Sequence, residues 1–169
     1  TWGFSTELPA VGMLYNTPEC ATRQELARRL KAKYIDNAAL SKAWGIETSF
    51  VELSRGVWKK TLKETALRDL EEFSEVMTER FFKTLSQACR DVDPKHLNLG
   101  IRYHTVPPKW ALDGMRTFDV FSMNCYREKV PHQETEMISR MLNMPVLIGE
   151  WHFGALDVGL PASGIGHVK

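Results

Sequence analysis

The chain has 169 residues, 43% of them hydrophobic and 25% charged, which are proportions typical of a globular domain with its own core. Its 22 lysines and arginines nearly balance its 21 aspartates and glutamates, so the net charge of +1 gives no electrostatic reason to expect nucleic acid or an anionic membrane as partner. No apolar run approaches the roughly 18 residues of a membrane-spanning helix. Cys20, Cys89 and Cys125 lack metal-ligand spacing, so we predict three free, buried thiols and no metal site, with a single disulfide bridge as the open alternative.

The first 60 residues are expected to form loops and short helices. In chain order the patterns predict turns over residues 1–21, a helix from a capping box at residues 22–25 to about Tyr34, a second helix from Asn37 as N-cap to Gly45, and an irregular segment over residues 46–60. We interpret three tryptophans as packing residues: Trp44, Trp58 and Trp110.

The longest predicted helix covers residues 61–91. Its apolar residues recur at spacings of three and four and so lie on one stripe: Leu67, Leu70, Phe73, Met77, Phe81, Leu85 and Ala88. The helix is expected to end at Asp93-Pro94, because a residue that precedes proline avoids the α region.

Three short strand-like runs follow the long helix, at residues 96–101, 118–123 and 145–149. A small helical stretch is expected near residues 109–115, and Pro131 opens another helix. The residues of that helix expected to face inward are Met137, Ile138, Met141 and Leu142. Strands that alternate with helices in this way indicate a parallel sheet, so the predicted fold class is α/β.

Polar and aromatic residues collect where these runs end. They are Arg102, Tyr103 and His104 after the first run, Asn124 and Tyr126 after the second, and Glu150, Trp151 and His152 after the third. Because functional residues of parallel α/β folds gather at the carboxyl ends of the strands, we expect these side chains to share one site.

Glu150 directly follows a run apolar enough to be buried on both faces. A carboxylate there costs free energy unless it is paired or used. Two interpretations stay open. Glu150 forms a structural ion pair with Arg102, or it is a catalytic carboxylate flanked by aromatic residues that stack on a sugar or a base.

Three segments resemble one family of enzymes. Residues 145–157, Pro-Val-Leu-Ile-Gly-Glu-Trp-His-Phe-Gly-Ala-Leu-Asp, resemble the strand-seven signature of clan A retaining glycoside hydrolases, nearest to the β-agarase group, with β-galactosidases further off. Residues 118–126, which end in Asn-Cys-Tyr, resemble strand six of that family, and residues 93–102 resemble the approach to strand five. The resemblance covers about residues 65–160.

The resemblance implies an α/β fold whose parallel strand–helix units form about strands 5–7 of a (β/α)8 TIM barrel. Residues 1–60 would then be the loop and short-helix segment after strand four, and residues 61–169 would carry the three strands. No cofactor is implied. Agarase-like enzymes are typically exported, so the analogy implies a secreted or periplasmic location.

The resemblance also implies roles for the polar residues. Glu150 would be the nucleophile that forms a glycosyl-enzyme on a galactose-containing oligo- or polysaccharide, which water then hydrolyses with retention of configuration. Tyr126 would orient that carboxylate, and Arg102 would add positive charge beside it. The remaining residues would bind the sugar: His104, Asn124, Trp151, His152 and Trp2. A core tyrosine at 126 and plain polar contacts at the two histidines stay open as alternatives.

The second carboxylate of a retaining hydrolase, expected in an Asn-Glu pair after strand four, has no match, because the chain contains no Asn-Glu pair. Thr1-Trp2-Gly3-Phe4 resembles the segment that follows such a pair, and the family's barrel needs about 250 residues. We therefore expect part of a barrel, incomplete on its own, whose partners are the saccharide and the rest of the barrel. A monodisperse, cooperatively folded monomer of the isolated chain would contradict this expectation.

Two other functions stay open. One is a non-catalytic carbohydrate-binding fragment or pseudoenzyme, which keeps the pocket without acid/base catalysis. The other is metal-dependent hydrolysis by His104, His152, Glu150 and Asp157, which no ligand spacing such as HExxH supports.

Overall fold

The computed structural model describes residues 7–151 of the chain. They form two compact units, residues 7–78 and residues 79–151. The helices are α1 (Pro9–Asn16), α2 (Ala21–Tyr34), α3 (Asn37–Trp44), α4 (Phe50–Ser54), α5 (Glu64–Val92), α6 (Lys109–Leu112) and α7 (His132–Leu142), and the strands are β1 (Arg102–Tyr103), β2 (Phe121–Cys125) and β3 (Val146–Trp151). A 3₁₀-helix at Asp113–Thr117 follows α6. Within the described residues, no helix has both the length and the apolar character needed to cross a bilayer.

The first unit is helical, and a buried carboxylate at its centre accepts hydrogen bonds from side chains of two other helices. Asp69 of α5 accepts hydrogen bonds from the Lys33 ammonium (2.8 Å), the Tyr34 hydroxyl (2.7 Å) and the Trp44 indole (2.7 Å). A charge buried in this way is tolerated because all of its partners are donors. Trp44 also packs edge-to-face on Trp58, with ring centroids 6.2 Å apart. The expectation that the tryptophans are packing residues is thus confirmed for this pair, and Trp110 is buried as well.

The predicted helix to Tyr34 is confirmed, but the predicted capping box is wrong. Helix α2 begins two residues earlier, at Ala21, and its N-cap Cys20 makes no side-chain cap bond. Arg23, the second residue of the supposed box, is fully buried instead. Its guanidinium donates to five main-chain carbonyls, those of Thr17, Pro18, Glu52, Leu53 and Gly56. Because its acceptors are backbone atoms, no side-chain pattern in the sequence signals this arrangement.

Two short helices form where the sequence predicted only turns or an irregular segment. Helix α1 starts at Pro9, whose missing N–H costs nothing in a first turn. Helix α4 is capped by Ser49, whose hydroxyl accepts a hydrogen bond from the Glu52 amide at 3.2 Å. The range predicted for α3 is confirmed, although its N-cap is Asp36 rather than Asn37.

Helix α5 confirms the predicted long helix, but its predicted apolar stripe is buried only in part: Leu70 and Phe73 are buried and Met77 is partly buried. Four positions of the predicted stripe are exposed: Leu67, Phe81, Leu85 and Ala88. Three hydroxyl residues are buried instead: Ser74, Thr78 and Ser86. Each hydroxyl donates to a main-chain carbonyl, which satisfies it without water. Hydrophobic periodicity therefore identified only part of the buried side of the helix.

All three cysteines are free thiols. Cys125 is buried as predicted and Cys20 is partly buried. Cys89 is exposed on α5, so the prediction of burial is wrong for that residue.

The second unit contains a three-stranded sheet in the order β1-β2-β3 with both pairings parallel. Helix α6 and the 3₁₀-helix connect β1 to β2, and α7 connects β2 to β3. The predicted α/β class with parallel strand–helix units is therefore confirmed. In α7, Ile138 and Leu142 are buried as expected, whereas Met137 and Met141 are exposed, so the inward orientation predicted for these two methionines is wrong.

The first strand lies later in the chain than predicted. Residues 96–101 form no strand, and β1 consists of Arg102 and Tyr103. Side-chain bonds to the backbone hold the preceding segment: the Asp119 carboxylate accepts from the Asn98 amide at 2.7 Å, and Asn98 accepts from the Gly100 amide at 3.0 Å. Gly100 adopts a φ of +68°, where a side chain is strained. These local bonds compete with strand pairing.

The two faces of the sheet differ in chemistry. Tyr103 stacks on Phe121 (ring centroids 5.2 Å apart) within the apolar core of this unit. The cross-strand register pairs Arg102 with Ser122, and Asn124 with Glu150. Because paired residues project from the same side of a sheet and alternate residues share a face, these four polar residues lie on the face opposite the Tyr103 core. This polar face carries the candidate site.

Candidate active site

The carboxylate of Glu150, near the end of β3, is contacted on both of its oxygens. The Tyr126 hydroxyl, just after β2, donates a hydrogen bond to Oε1. The Arg102 guanidinium of β1 forms an ion pair with Oε2, with Nη2 2.8 Å away. The Glu150 side chain remains 38% exposed, so a ligand can reach it. The ion pair with Arg102 and the hydrogen bond from Tyr126, which the resemblance implied, are both present.

The Tyr126 hydroxyl is the hydrogen-bond donor in its contact with Glu150. Its hydrogen bond to Glu150 is the main cause of a pKa raised above the ordinary value of the phenol, and partial desolvation adds to the effect. Tyr126 is therefore protonated at neutral pH and donates to the carboxylate.

A β-bulge decides which way Glu150 points. Met123 pairs with Ile148 and Asn124 pairs with Glu150, so Gly149 is an additional residue on β3. Without the bulge, simple alternation along β3 would turn Glu150 towards the same side as Ile148, which packs against the apolar core. The bulge instead places the carboxylate on the polar face.

Gly149 also permits a close approach that sequence reasoning missed. A Cβ atom at this position would collide with the Ser122 hydroxyl and lie 3.1 Å from Cδ of Arg102. The Gly149 carbonyl in turn accepts a hydrogen bond from Nη1 of Arg102 at 3.4 Å. The sequence does contain a sign of this contact, because Gly149 stands at the end of a run of branched apolar residues. A glycine in a strand is typical of bulges and close backbone contacts.

Replacing Gly149 with alanine is expected to destabilise the protein by about 1–3 kcal/mol, because the added methyl group overpacks this contact. Ser122→Ala in the same chain removes the colliding hydroxyl and should lower the cost of Gly149→Ala to below about 1 kcal/mol. Thermal or urea unfolding of the two single variants and the double variant measures the coupling. Equal costs of Gly149→Ala in both backgrounds would contradict the contact.

The other predicted sugar-binding residues have different surroundings. His104 is exposed, and its ring centroid lies 5.9 Å from that of Tyr126. Trp151 is 53% exposed, and its indole donates to the Arg127 carbonyl at 3.0 Å. Asn124 is only 4% exposed, and its amide donates to the Tyr126 hydroxyl at 2.7 Å. The structure thus brings His104 and Asn124 to Tyr126 beside Glu150, whereas Trp151 pairs with Cys125 in the strand register and projects from the opposite face of the sheet.

Several predicted residues lie outside the described residues: Trp2, His152 and Asp157. Two of the four residues of the metal-dependent alternative are among them. Within residues 7–151, no three His, Cys, Asp or Glu side chains are grouped so that they could hold a metal ion.

Comparison with known proteins relates the chain to agarases. No family model matches it. It is 28% identical over 155 residues to beta-agarase B of Vibrio sp. (strain JT0107). The match covers 89% of the chain and 16% of that protein. Among solved structures it is similar to an exo-beta-agarase (32% identity, TM-score 0.80, 95% of the chain) and to the agarase AgWH50C (28% identity, TM-score 0.80, 94% of the chain).

The chain spans only part of these relatives, 16% of the curated protein and 23% of each of the two solved chains. The predicted resemblance to the β-agarase group is confirmed. Most of this chain corresponds to a segment of proteins of that group.

Proposed function

We propose that the protein containing this segment hydrolyses O-glycosidic bonds in a galactose-containing oligo- or polysaccharide by a retaining double displacement, with Glu150 as the nucleophile. The observation that carries the proposal is the Glu150 carboxylate at the end of β3, contacted by Tyr126 on one oxygen and by Arg102 on the other. The similarity to beta-agarases supports the class of reaction and substrate.

In the first step a Glu150 oxygen attacks the anomeric carbon, and the bond to the leaving oxygen breaks with its electron pair. The leaving oxygen takes a proton from an acid/base carboxyl, which we place outside this chain. Each Glu150 oxygen has two lone pairs, so a hydrogen bond from Tyr126 or Arg102 leaves one free for attack. Water, deprotonated by the same acid/base, then releases the sugar with its configuration retained.

We also propose that β1, β2 and β3 are strands 5–7 of a (β/α)8 barrel. Their parallel pairing in chain order with helical crossovers supports this placement. Within residues 7–151, β1 and β3 each pair with one strand only, and the apolar side chain of Leu147 on β3 is exposed. Sheets of this kind are normally paired or covered at their edges, which favours the rest of the barrel as the structural partner.

The stereochemical outcome tests the mechanism directly. Proton NMR of the first product released by the intact protein from an oligosaccharide is expected to show the anomer of the substrate. Release of the opposite anomer would exclude a glycosyl-enzyme on Glu150. Binding of the oligosaccharide without any turnover would instead favour the non-catalytic alternative.

Replacing Tyr126 with phenylalanine is expected to lower kcat about 10- to 100-fold. The variant loses one hydrogen bond to a charged group, which contributes about 1.5–3 kcal/mol, and each 1.36 kcal/mol corresponds to a factor of ten in rate. Steady-state kinetics of the intact protein provide the measurement.

Tyr15→Phe is the matched control for Tyr126→Phe. It deletes the same atom, but the Tyr15 hydroxyl donates to the Lys60 carbonyl in the helical unit. Its kcat should stay within about twofold of the parent protein. Equal effects of the two substitutions would argue against a role for Tyr126 at the nucleophile.

A further inference from the structure

Asn124 occupies a position on β2 that suits it for contact with another protein side chain rather than with a saccharide. The bulge in β3 brings it opposite Glu150 in the strand register. With 4% of its surface exposed, it presents almost nothing to a ligand on the polar face. Its Nδ2 lies 2.7 Å from the oxygen of Tyr126.

The chemistry of this contact fixes the direction of two hydrogen bonds. An amide nitrogen donates and cannot accept, so the Tyr126 oxygen is the acceptor from Asn124. A phenol has a single hydrogen, and that hydrogen is donated to Oε1 of Glu150. The three groups thus form a chain in which Asn124 donates to Tyr126 and Tyr126 donates to Glu150. In such chains each bond polarises the next.

We propose that Asn124 is a positioning residue that directs the Tyr126 hydroxyl towards Glu150. It acts on the nucleophile through Tyr126 and contributes to turnover rather than to saccharide binding. This inference rests on the proposed role of Glu150, and it assigns Asn124 a different task from the sugar contact expected from the sequence.

A double-mutant cycle with Tyr126→Phe tests the inference. Asn124→Leu, which keeps the approximate size of the side chain but donates nothing, is expected to lower kcat about 5- to 20-fold with KM nearly unchanged. In the Tyr126→Phe background, Asn124→Leu should have no further effect on kcat beyond about twofold, because there is no hydroxyl left to direct. An equal loss in both backgrounds, or a rise in KM at constant kcat, would overturn the proposal.

Asn124→Asp supplies a second test in a side chain of the same shape. The introduced carboxylate accepts where the amide donated, so it competes with Glu150 for the single phenolic hydrogen. The kcat of this variant relative to the parent protein should be lowest at neutral pH. It should rise towards acidic pH, where the introduced carboxyl group is protonated and can donate again. If the ratio of the two kcat values did not change with pH, the role of Asn124 would be merely structural.

The same variant provides a readout that does not depend on activity. In a crystal structure of Asn124→Asp at neutral pH, the contact between Tyr126 and Glu150 is expected to lengthen beyond hydrogen-bond distance. An unchanged contact would overturn the positioning role even if the protein proved not to be a hydrolase. Conversely, full turnover by a Glu150→Gln variant would refute the proposed function while this structural result still stood.

Discussion

Replacing Glu150 with glutamine in the intact protein is expected to lower kcat for an aryl glycoside by at least about 10³-fold. The amide has nearly the same shape but carries no negative charge and is a poor nucleophile, so no glycosyl-enzyme forms. It also cannot pair with Arg102, whose guanidinium lies 2.8 Å from Oε2. Turnover of a chromogenic aryl galactoside, with circular dichroism to verify folding, is the measurement.

Glu136→Gln is the matched control for this substitution. Glu136 lies on α7 with its side chain 62% exposed, and its ion-pair partner is Arg140 on the same helix. Its removal should leave kcat unchanged within about twofold. If Glu150→Gln retained a tenth or more of the parent activity, Glu150 would not be the nucleophile.

Azide rescue distinguishes the loss of the nucleophile from general damage to the site as the cause of lost activity. In Glu150→Gly the vacated space below the sugar admits a small anion, which can attack the anomeric carbon in a single displacement. The expected product is a glycosyl azide of inverted configuration, formed at a rate that rises with azide concentration. An azide-dependent product of retained configuration would assign Glu150 to acid/base catalysis instead.

The second large effect concerns stability. Arg23→Met is expected to lower the free energy of unfolding by about 3–5 kcal/mol, because it leaves buried carbonyls without their donor. The methionine fills the volume of the arginine stem but donates no hydrogen bonds. Arg23 is fully buried and donates to two carbonyls within α4, those of Glu52 at 2.7 Å and Leu53 at 2.8 Å, and to the Gly56 carbonyl just after it.

Hydrogen exchange localises the consequence of Arg23→Met. Amides of residues 49–58 should exchange faster, because the carbonyls that anchor this segment are released. Arg28→Met on the same helix is the control, since Arg28 is exposed and pairs with Glu25 one turn away. That change should cost less than about 1 kcal/mol. Similar losses for the two variants would show that the buried guanidinium is not an anchor.

The residues at the site form one connected set of contacts. Gly149 gives β3 its bulge and close approach, which set the direction of Glu150. Arg102 and Tyr126 then contact the two carboxylate oxygens. Small changes in the strand can therefore move the carboxylate without contacting a ligand. The stability cost of Gly149→Ala should depend on Ser122 because a Cβ atom at position 149 would meet the Ser122 hydroxyl.

Part of the fold was predictable from sequence because it depends on local pattern. The long helix α5 shows as a sustained helical period, and the alternation of strand-like and helical runs predicted the parallel sheet. The burial pattern of α5 was not predictable in the same way. Its buried hydroxyls donate hydrogen bonds to main-chain carbonyls, which offset the cost of burying them. A hydropathy pattern contains no information about such bonds.

The sequence by itself determined that a carboxylate follows an apolar run, with polar and aromatic residues at the ends of neighbouring runs, although β3 is not buried on both faces as predicted. Those features are local, since they follow from hydrophobicity and the order of elements along the chain. Only the tertiary structure decided that Arg102 lies within a strand, that the bulge at Gly149 turns Glu150 to the polar face, and that Asn124 contacts Tyr126. It also decided the burial of Arg23. The physical reason is the same in each case: cross-strand register and backbone acceptors bring together atoms from distant parts of the chain, and no periodicity in the sequence records those pairings.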